Sequence, residues 1–233
     1  MVSDSELKLS RYEVKYTLHQ SNYFFIRNWI VLNDADFISP YGARTVNNIY
    51  FDNLECDSYV ENLTGCTSRT KIRLRWYGNT HSPKEATLEI KAKRNKLGFK
   101  SSRKIMLGGR SLIDMTYREL CRTILEQIDG DFKVRFCVSS TPIIINRYRR
   151  EYFVTRNMAV RATLDKHLEF FDQRSKVSPN MSLSALAPEM GILEFKVNSL
   201  DIDKLPEVLV NIPLPASKSS KYVIGVQSIL GYQ

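Results

Sequence analysis

Several segments of the chain alternate between apolar and charged residues, the pattern of a β-strand with one face on a hydrophobic core. Between Thr70 and Tyr77, Ile72 and Leu74 fall on one face, while the residues between them are arginines. Strands are predicted on this basis over Arg11–Leu18, Thr45–Asp52, Thr70–Tyr77, Ala86–Lys93, Ser101–Leu107, Ile143–Thr155, Ala159–Asp165 and Ile192–Asn198.

Three segments have helical periodicity or helix-starting residues instead. Helices are predicted over Ser21–Leu32, Ser111–Ile128 and Asp201–Val210, the last interrupted by Pro206. Loops are predicted over 33–42, 78–85, 94–98, 108–111, 174–189 and 211–217. The pattern therefore indicates an α+β chain with many strands and few helices.

The polar faces of the predicted strands are unusually rich in charge. In Ala86–Lys93 the polar face carries Glu89, Lys91 and Lys93, and in Ile192–Asn198 it carries Glu194 and Lys196. One such strand is usually a solvated surface strand, but five together favour a shared function. Closure of the sheet into a barrel would converge these charges, and buried cations need an anionic partner. A linear polyphosphate fits, because each phosphoryl group accepts bidentate arginine contacts.

The composition points in the same direction. The 233 residues include 34 Lys and Arg against 25 Asp and Glu, a formal charge of +9. That balance favours an anionic partner: nucleic acid, a membrane surface or a phosphorylated small molecule. The four cysteines fit no metal or haem spacing, and no signal-peptide-like or membrane-spanning apolar run is visible. A cytoplasmic protein with reduced thiols and no integral membrane segment is expected.

Nine short motifs occur in an order that resembles the VTC domain, within the triphosphate tunnel metalloenzyme superfamily. They extend from about Arg11 to Gly225 and read RYEVKY, NIYFDN, KIRLRWYG, LEIKAK, GFKSSRK, RYRREYF, VRATLD, LEFKV and SKSSKY. The resemblance implies a single domain over residues 1–233, with an antiparallel β-barrel tunnel and helices packed outside. It also implies a polyphosphate polymerase that moves the terminal phosphoryl group of a nucleoside triphosphate, such as ATP, onto a polyphosphate chain with Mn²⁺ or Mg²⁺.

The same resemblance assigns the site residues. It gives catalytic roles to Arg73, Arg75, Lys91 and Glu194, and makes Glu194, with Glu13 or Glu89, the metal ligands. For Arg103 the choice of register against the adjacent Lys104 stays open. The implied phosphate-binding residues are Lys15, Arg73, Arg75, Lys91, Arg103, Arg150, Arg161, Lys196, Lys218, Ser220 and Lys221.

Other functions remain open on the same scaffold. A tripolyphosphatase, nucleoside triphosphatase or adenylate cyclase would share the tunnel and the metal. The related CYTH branch has an E-x-E-x-K motif, and Arg11 stands in place of its first Glu, which favours the VTC branch. A non-enzymatic polyphosphate-binding module is a further alternative. Nucleic-acid binding is not expected, because no RRM, KH, OB or helix-turn-helix signature is visible. The sequence leaves metal preference, base specificity and oligomeric state undetermined.

Overall fold

The structure, a computed structural model, describes residues 11–94 and 97–231. Its strands form one large antiparallel sheet in the order β1-β9-β8-β7-β3-β4-β5-β6, with the short β2 paired to β7. The strands are β1 (Arg11–His19), β2 (Phe37–Ile38), β3 (Arg44–Asp52), β4 (Ser68–Tyr77), β5 (Glu85–Arg94), β6 (Leu97–Met106), β7 (Thr141–Thr155), β8 (Val160–Asp172) and β9 (Met190–Asn198).

The α+β class and the antiparallel sheet are confirmed, and each predicted strand is present, although β8 continues to Asp172 instead of ending at Asp165 and β6 begins at Leu97 instead of Ser101. The arrangement is consistent with a tunnel fold, but within residues 11–94 and 97–231 the sheet is not closed by hydrogen bonds. The two-residue strand β2 lies in a segment predicted as loop. The predicted loop over 94–98 falls partly on residues 95–96, which lie outside the described residues.

Six α-helices occur within the described residues, three more than the sequence pattern predicted. They are α1 (Tyr23–Val31), α2 (Asp57–Thr64), α3 (Tyr117–Leu125), α4 (Gly130–Val138), α5 (Lys204–Val208) and α6 (Lys221–Leu230). Helices α1, α3 and α5 lie inside the three predicted segments. Helix α3 begins after Thr116, whose side chain forms a capping box with Glu119. Helices α2, α4 and α6 were not predicted.

The chain divides into two compact units. Unit 1 consists of the described residues of Met1–Arg44, Tyr148–Leu168 and Glu189–Ser219, and unit 2 of those of Thr45–Arg147, Glu169–Pro188 and Ser220–Gln233. The expectation of one domain over the whole length stays a prediction.

In unit 1, the apolar faces of the strands pack against helices. Phe195 of β9 and Leu164 of β8 are fully buried in a cluster that also contains Ile26 and Ile30 of α1 and Leu205 of α5. Removal of this apolar surface from water is the main stabilising term of such a core. The charged residues alternate with these apolar ones, so they occupy the opposite face of the sheet.

Unit 2 is built in the same way. Leu74 of β4 and Leu88 of β5 lie in a core with Leu120 of α3 and Phe136 of α4. The predicted cover of the apolar sheet face by helices is therefore confirmed for unit 2, although α4 was not among the predicted helices. The opposite face of β4 and β5 carries arginine, lysine and glutamate.

Candidate functional site

Two lysines and two glutamates form a charged square on unit 1. In the register of β1 and β9, Glu13 lies opposite Lys196 and Lys15 lies opposite Glu194. Lys15 Nζ lies 3.4 Å from Glu194 Oε1 and 3.9 Å from Glu13 Oε2. Lys196 Nζ lies 3.3 Å from Glu194 Oε2 and 3.5 Å from Glu13 Oε1. Each lysine thus contacts both carboxylates, so the four side chains form one connected cluster of ion pairs.

Strand β8 adds two residues to this face. Its register places Arg161 opposite Lys196 and Thr163 opposite Glu194. Arg161 is exposed. The Oγ1 atom of Thr163 is buried without a hydrogen-bond partner among the described residues. An unsatisfied hydroxyl beside Glu194 lowers the stability of the fold, since a buried polar group normally has a hydrogen-bond partner.

Arg150 of β7 is held by a bidentate ion pair. Its Nε and Nη2 donate to the two oxygens of Asp165 at 2.6 and 2.7 Å, and its guanidinium lies 5.2 Å from the ring centre of Tyr148. Burial opposes the charge of Arg150, but Asp165 and Glu194 hold the pKa of its guanidinium well above the ordinary value. Arg150 is thus a permanently charged and oriented group on unit 1.

The segment that follows α5 runs beside β1. The backbone of Ser217 donates to the carbonyl of Lys15 at 2.8 Å, and Lys15 Nζ approaches the carbonyl of Ser219 at 3.5 Å. Lys218 between them is exposed, and the hydroxyl of Ser219 is buried without a hydrogen-bond partner among the described residues. The predicted phosphate ligand Lys218 therefore lies on a segment bound to the strand of Lys15.

In unit 2, three lysines stand in one row across neighbouring strands. Lys71 of β4 pairs in register with Lys91 of β5, and Lys91 pairs with Lys100 of β6. Directly opposed like charges destabilise a sheet. A row of three lysines thus has a structural penalty, and a bound anion would relieve it.

Beside this row, three cations share one carboxylate. Arg73 donates to Glu89 Oε2 from Nε at 2.8 Å and from Nη2 at 2.5 Å. The other carboxylate oxygen, Oε1, lies 3.0 Å from Lys100 Nζ and 3.9 Å from Arg75 Nη1. Burial opposes ionisation of Glu89. The charges of Arg73 and Arg75 and the hydrogen bond from Lys100 nevertheless hold the pKa of its carboxyl well below the usual range.

The positive charges of the same face act on Tyr50 of β3. Its hydroxyl accepts a hydrogen bond from Arg73 Nη1 at 3.2 Å. Burial alone would raise the pKa of this phenol. The positive charges of Arg73, Arg75 and Lys71 outweigh burial, and the pKa of Tyr50 lies below its ordinary value. The surroundings of Tyr50 therefore favour negative charge.

Arg75 is oriented by a chain of buried amides. Its Nε donates to Asn48 Oδ1 at 2.7 Å, and Asn48 Nδ2 donates to Asn146 Oδ1 at 2.7 Å. Both asparagines are buried. Asn48 thus orients the guanidinium of Arg75, and Asn146 in turn orients the amide of Asn48.

Helix α6 places two more of the predicted residues on unit 2. Ser220 caps the helix by accepting from the backbone of Val223, and its hydroxyl also accepts from Lys71 Nζ at 3.0 Å. Lys221 is the first residue of the helix. At the next residue, the hydroxyl of Tyr222 donates to Asp52 at 2.6 Å. The helix N-terminus and the end of the lysine row therefore meet at Ser220.

Arg103 does not join this group. In the register of β5 and β6, Arg103 lies opposite Leu88, whereas Lys100 lies opposite Lys91 and Ser102 lies opposite Glu89. Because paired residues share a face, Arg103 points to the apolar side, with its guanidinium 5.2 Å from the ring centre of Phe132. The structure therefore separates Arg103 from the other predicted phosphate ligands.

Comparison with known proteins decides the family. The family described as the VTC domain matches residues 10–230. The chain belongs to the VTC domain family. A solved structure of HpAC1 from Hippeastrum, a candidate adenylyl cyclase described as having a dominant triphosphatase activity, is similar at 14% sequence identity with a TM-score of 0.49. The match covers 95% of this chain and 97% of that one. No curated protein sequence matches the chain.

A divalent metal fits the oxygen donors of unit 1 in this VTC domain. No group of three or more His, Cys, Asp and Glu side chains is arranged for a metal within residues 11–94 and 97–231. Mg²⁺, however, is commonly held by one or two carboxylates, with phosphate oxygens and waters completing its coordination. The carboxylates of Glu13 and Glu194, which share Lys15 and Lys196, supply the one or two carboxylates that this requires. Glu89 fits it less well, because three cations already occupy its carboxylate.

Several residues of the VTC domain's charged faces were missed by sequence reasoning. Lys100 and Tyr50 belong to the Glu89 cluster, and Asp165 orients Arg150. Asn48 and Asn146, which orient Arg75, carry no charge and so gave no signal in the pattern. The sequence could have assigned Lys100 to the Glu89 cluster only if the register of β5 with β6 had been known. Within the described part of the chain, no helix has the length and apolar character to cross a membrane.

Proposed function

We propose that the chain is a metal-dependent polyphosphate polymerase that transfers the terminal phosphoryl group of a nucleoside triphosphate to a polyphosphate chain. The observation that carries this proposal is the in-register row of Lys71, Lys91 and Lys100 beside the arginines that share Glu89. Directly opposed like charges destabilise a sheet, and a bound anion of high charge density would reduce their repulsion. Membership of the VTC domain family supports phosphate as that anion.

The arginines of unit 2 would position phosphoryl groups. A guanidinium contacts phosphate oxygens bidentately and keeps its charge, and Arg73 and Arg75 are already oriented by Glu89 and Asn48. Phosphoryl transfer depends mainly on positioning and charge neutralisation. Preorganised cations of this kind meet both needs, so we assign Arg73, Arg75 and Lys91 to binding of the reacting phosphates.

In unit 1, we assign Glu194 and Glu13 to a divalent metal, with Lys15 and Lys196 as phosphate ligands. When bound, Mn²⁺ or Mg²⁺ would neutralise charge on phosphate oxygens and polarise the transferred group. Each glutamate contacts both lysines, so the lysines can exchange these carboxylates for phosphate oxygens when the metal arrives. Arg150, Arg161 and Lys218 of unit 1, and Ser220 and Lys221 of unit 2, complete the proposed phosphate ligands.

The transfer itself needs no strong base. A terminal oxygen of the acceptor polyphosphate is already deprotonated at neutral pH and can attack the γ-phosphorus directly. One P–O bond forms to the acceptor, the bond to the β-phosphate oxygen breaks, and a nucleoside diphosphate leaves. The role of the chain's own residues is to hold donor and acceptor in line and to shield their repulsion.

The direct test is incubation with ATP and Mn²⁺ or Mg²⁺, with long phosphate chains followed by electrophoresis and free phosphate measured separately. Chain growth is expected, and Lys91→Met and Arg75→Ala should reduce it strongly. Arg122→Met, at an exposed ion pair with Glu126 on helix α3, serves as the matched control. Release of phosphate without chain growth under either metal would defeat the polymerase in favour of a triphosphatase.

A further inference from the structure

Two tyrosines and an arginine form a stacked cluster on unit 1. The rings of Tyr41 and Tyr152 meet edge to face, with 5.8 Å between their centres. The guanidinium carbon of Arg44 lies 4.8 Å from the ring centre of Tyr41 and 5.9 Å from that of Tyr152. Flat aromatic and guanidinium surfaces of this kind are what nucleic-acid-binding proteins use to stack bases.

The cluster lies on the charged face of β7. Side chains alternate along a strand, and Phe153 is buried in the apolar core while Glu151 contacts Tyr23 and Arg27 of α1. Tyr152 therefore shares the opposite face with Arg150, whose partner Asp165 is on the charged face of β8. The two residues are separated by about 6.6 Å along the strand, two residues at the usual rise.

The surfaces of the cluster are accessible. Tyr41 is 54% exposed, Arg44 is exposed, and Tyr152 is partly exposed. Two explanations compete for an exposed group of this kind. A structural cation–π contact would need no ligand, whereas a ligand site would need a flat partner next to an anionic group. The position beside Arg150 on a phosphate-binding face favours the second explanation, because a nucleotide combines a flat base with a polyphosphate.

We propose that Tyr41, Arg44 and Tyr152 stack the nucleobase of the donor nucleoside triphosphate. This inference rests on the proposed function, and adds a base site to a set of residues that otherwise all contact phosphate. Stacking tolerates any base, because every base has a π face. The cluster therefore raises the affinity for nucleotides over inorganic polyphosphates without selecting one base.

Calorimetric titration with ATP and with tripolyphosphate, each with Mg²⁺, tests the site. Tyr41→Ala and Tyr152→Ala should each weaken ATP binding by about five- to hundredfold, the range measured for a stacked base. Their dissociation constants for tripolyphosphate should match those of the parent chain. Tyr41→Phe keeps the ring and should bind ATP like the parent. Tyr77→Ala, at a tyrosine that is 47% exposed on unit 2, is the matched control.

The quenching of etheno-ATP fluorescence gives a second measurement that depends on base stacking. Quenching should occur with the parent chain and with Tyr41→Phe, and should disappear with Arg44→Ala and Tyr41→Ala. Equal weakening of ATP and tripolyphosphate by Tyr41→Ala, or no weakening of either, would overturn the base site while leaving the phosphate site intact. If the parent chain binds neither ligand, the proposed function itself is wrong and the base site is lost with it.

Discussion

Arg150 donates to both carboxylate oxygens of Asp165, at 2.6 and 2.7 Å, and Asp165 is completely buried. A pair of this geometry is costly to break from one side, because the remaining charge stays in the interior without compensation. The pair also fixes the guanidinium of Arg150 on the face that carries Glu194. Stability and orientation therefore depend on the same two hydrogen bonds.

We expect Asp165→Asn to lower the free energy of unfolding by about 3–5 kcal/mol, because it removes the charge that balances buried Arg150. Urea unfolding followed by circular dichroism measures this change. Asp36→Asn makes the same substitution in an exposed ion pair with Arg156 and should hardly move the midpoint. Similar midpoints for the two variants would contradict the assignment of Arg150 as a buried charge.

The metal assignment predicts that Glu194→Gln weakens Mn²⁺ binding in the presence of tripolyphosphate by more than about tenfold. The amide keeps the size of the side chain but loses the charge that attracts the cation. Electron paramagnetic resonance of free Mn²⁺ measures the binding. Glu85→Gln, which removes an exposed carboxylate paired with Lys104, should bind Mn²⁺ like the parent. Unchanged Mn²⁺ affinity in Glu194→Gln would exclude Glu194 as a ligand.

Gly225 allows helix α6 to pack closely in unit 2. A Cβ atom at this position would lie 2.5 Å from Ile144 Cδ1 and 2.5 Å from Phe170 Cδ1. Alanine normally stabilises a helix interior over glycine by about 0.5–1 kcal/mol. Here overpacking should reverse the sign, and Gly225→Ala should destabilise the chain by about 1–3 kcal/mol in thermal unfolding. Gly42→Ala, where nothing lies within 4 Å, is the control and should be close to neutral.

The thiols should react at different rates. Burial raises the pKa of the Cys121 thiol from 9.0 to about 11, whereas Cys66 and Cys137 are exposed. At pH 8 iodoacetamide should therefore modify Cys66 and Cys137 well before Cys121, as measured by peptide mass spectrometry. Because the folded pKa of Cys121 is the higher one, its contribution to stability is complete below about pH 9 and falls as the pH rises towards about 11. Equal labelling rates would contradict the burial of Cys121.

The strands and their charged faces could be predicted because period-two alternation is a local property. In β9, Phe195 falls in the core and Glu194 on the other face, as the pattern indicates. Strand register is not local, and this explains Arg103. Only the pairing of β5 with β6 shows that Lys100 reaches Glu89 while Arg103 lies over Phe132.

Half of the helices could not be predicted because tertiary contacts stabilise them. Helix α2 has exposed Val60 and Leu63, and its first backbone amides are capped from outside by Asp52. Helix α6 contains β-branched residues and Gly225, which disfavour a helix in isolation. Its capping by Ser220 and the bond from Tyr222 to Asp52 compensate. The motif that contains Ser220 and Lys221 could thus be found while its helix could not.

Glu89 is a shared counter-ion for Arg73, Arg75 and Lys100. Because the carboxylate is tethered, the arginines lose little conformational freedom when a phosphate arrives, and each has a resting partner when the phosphate departs. A phosphate that binds these three side chains must therefore compete with Glu89 at each of them, so no single contact prevents its release. In the proposed function, a surface of this kind would hold a polyphosphate chain through many contacts and still let it advance by one phosphoryl unit at a time.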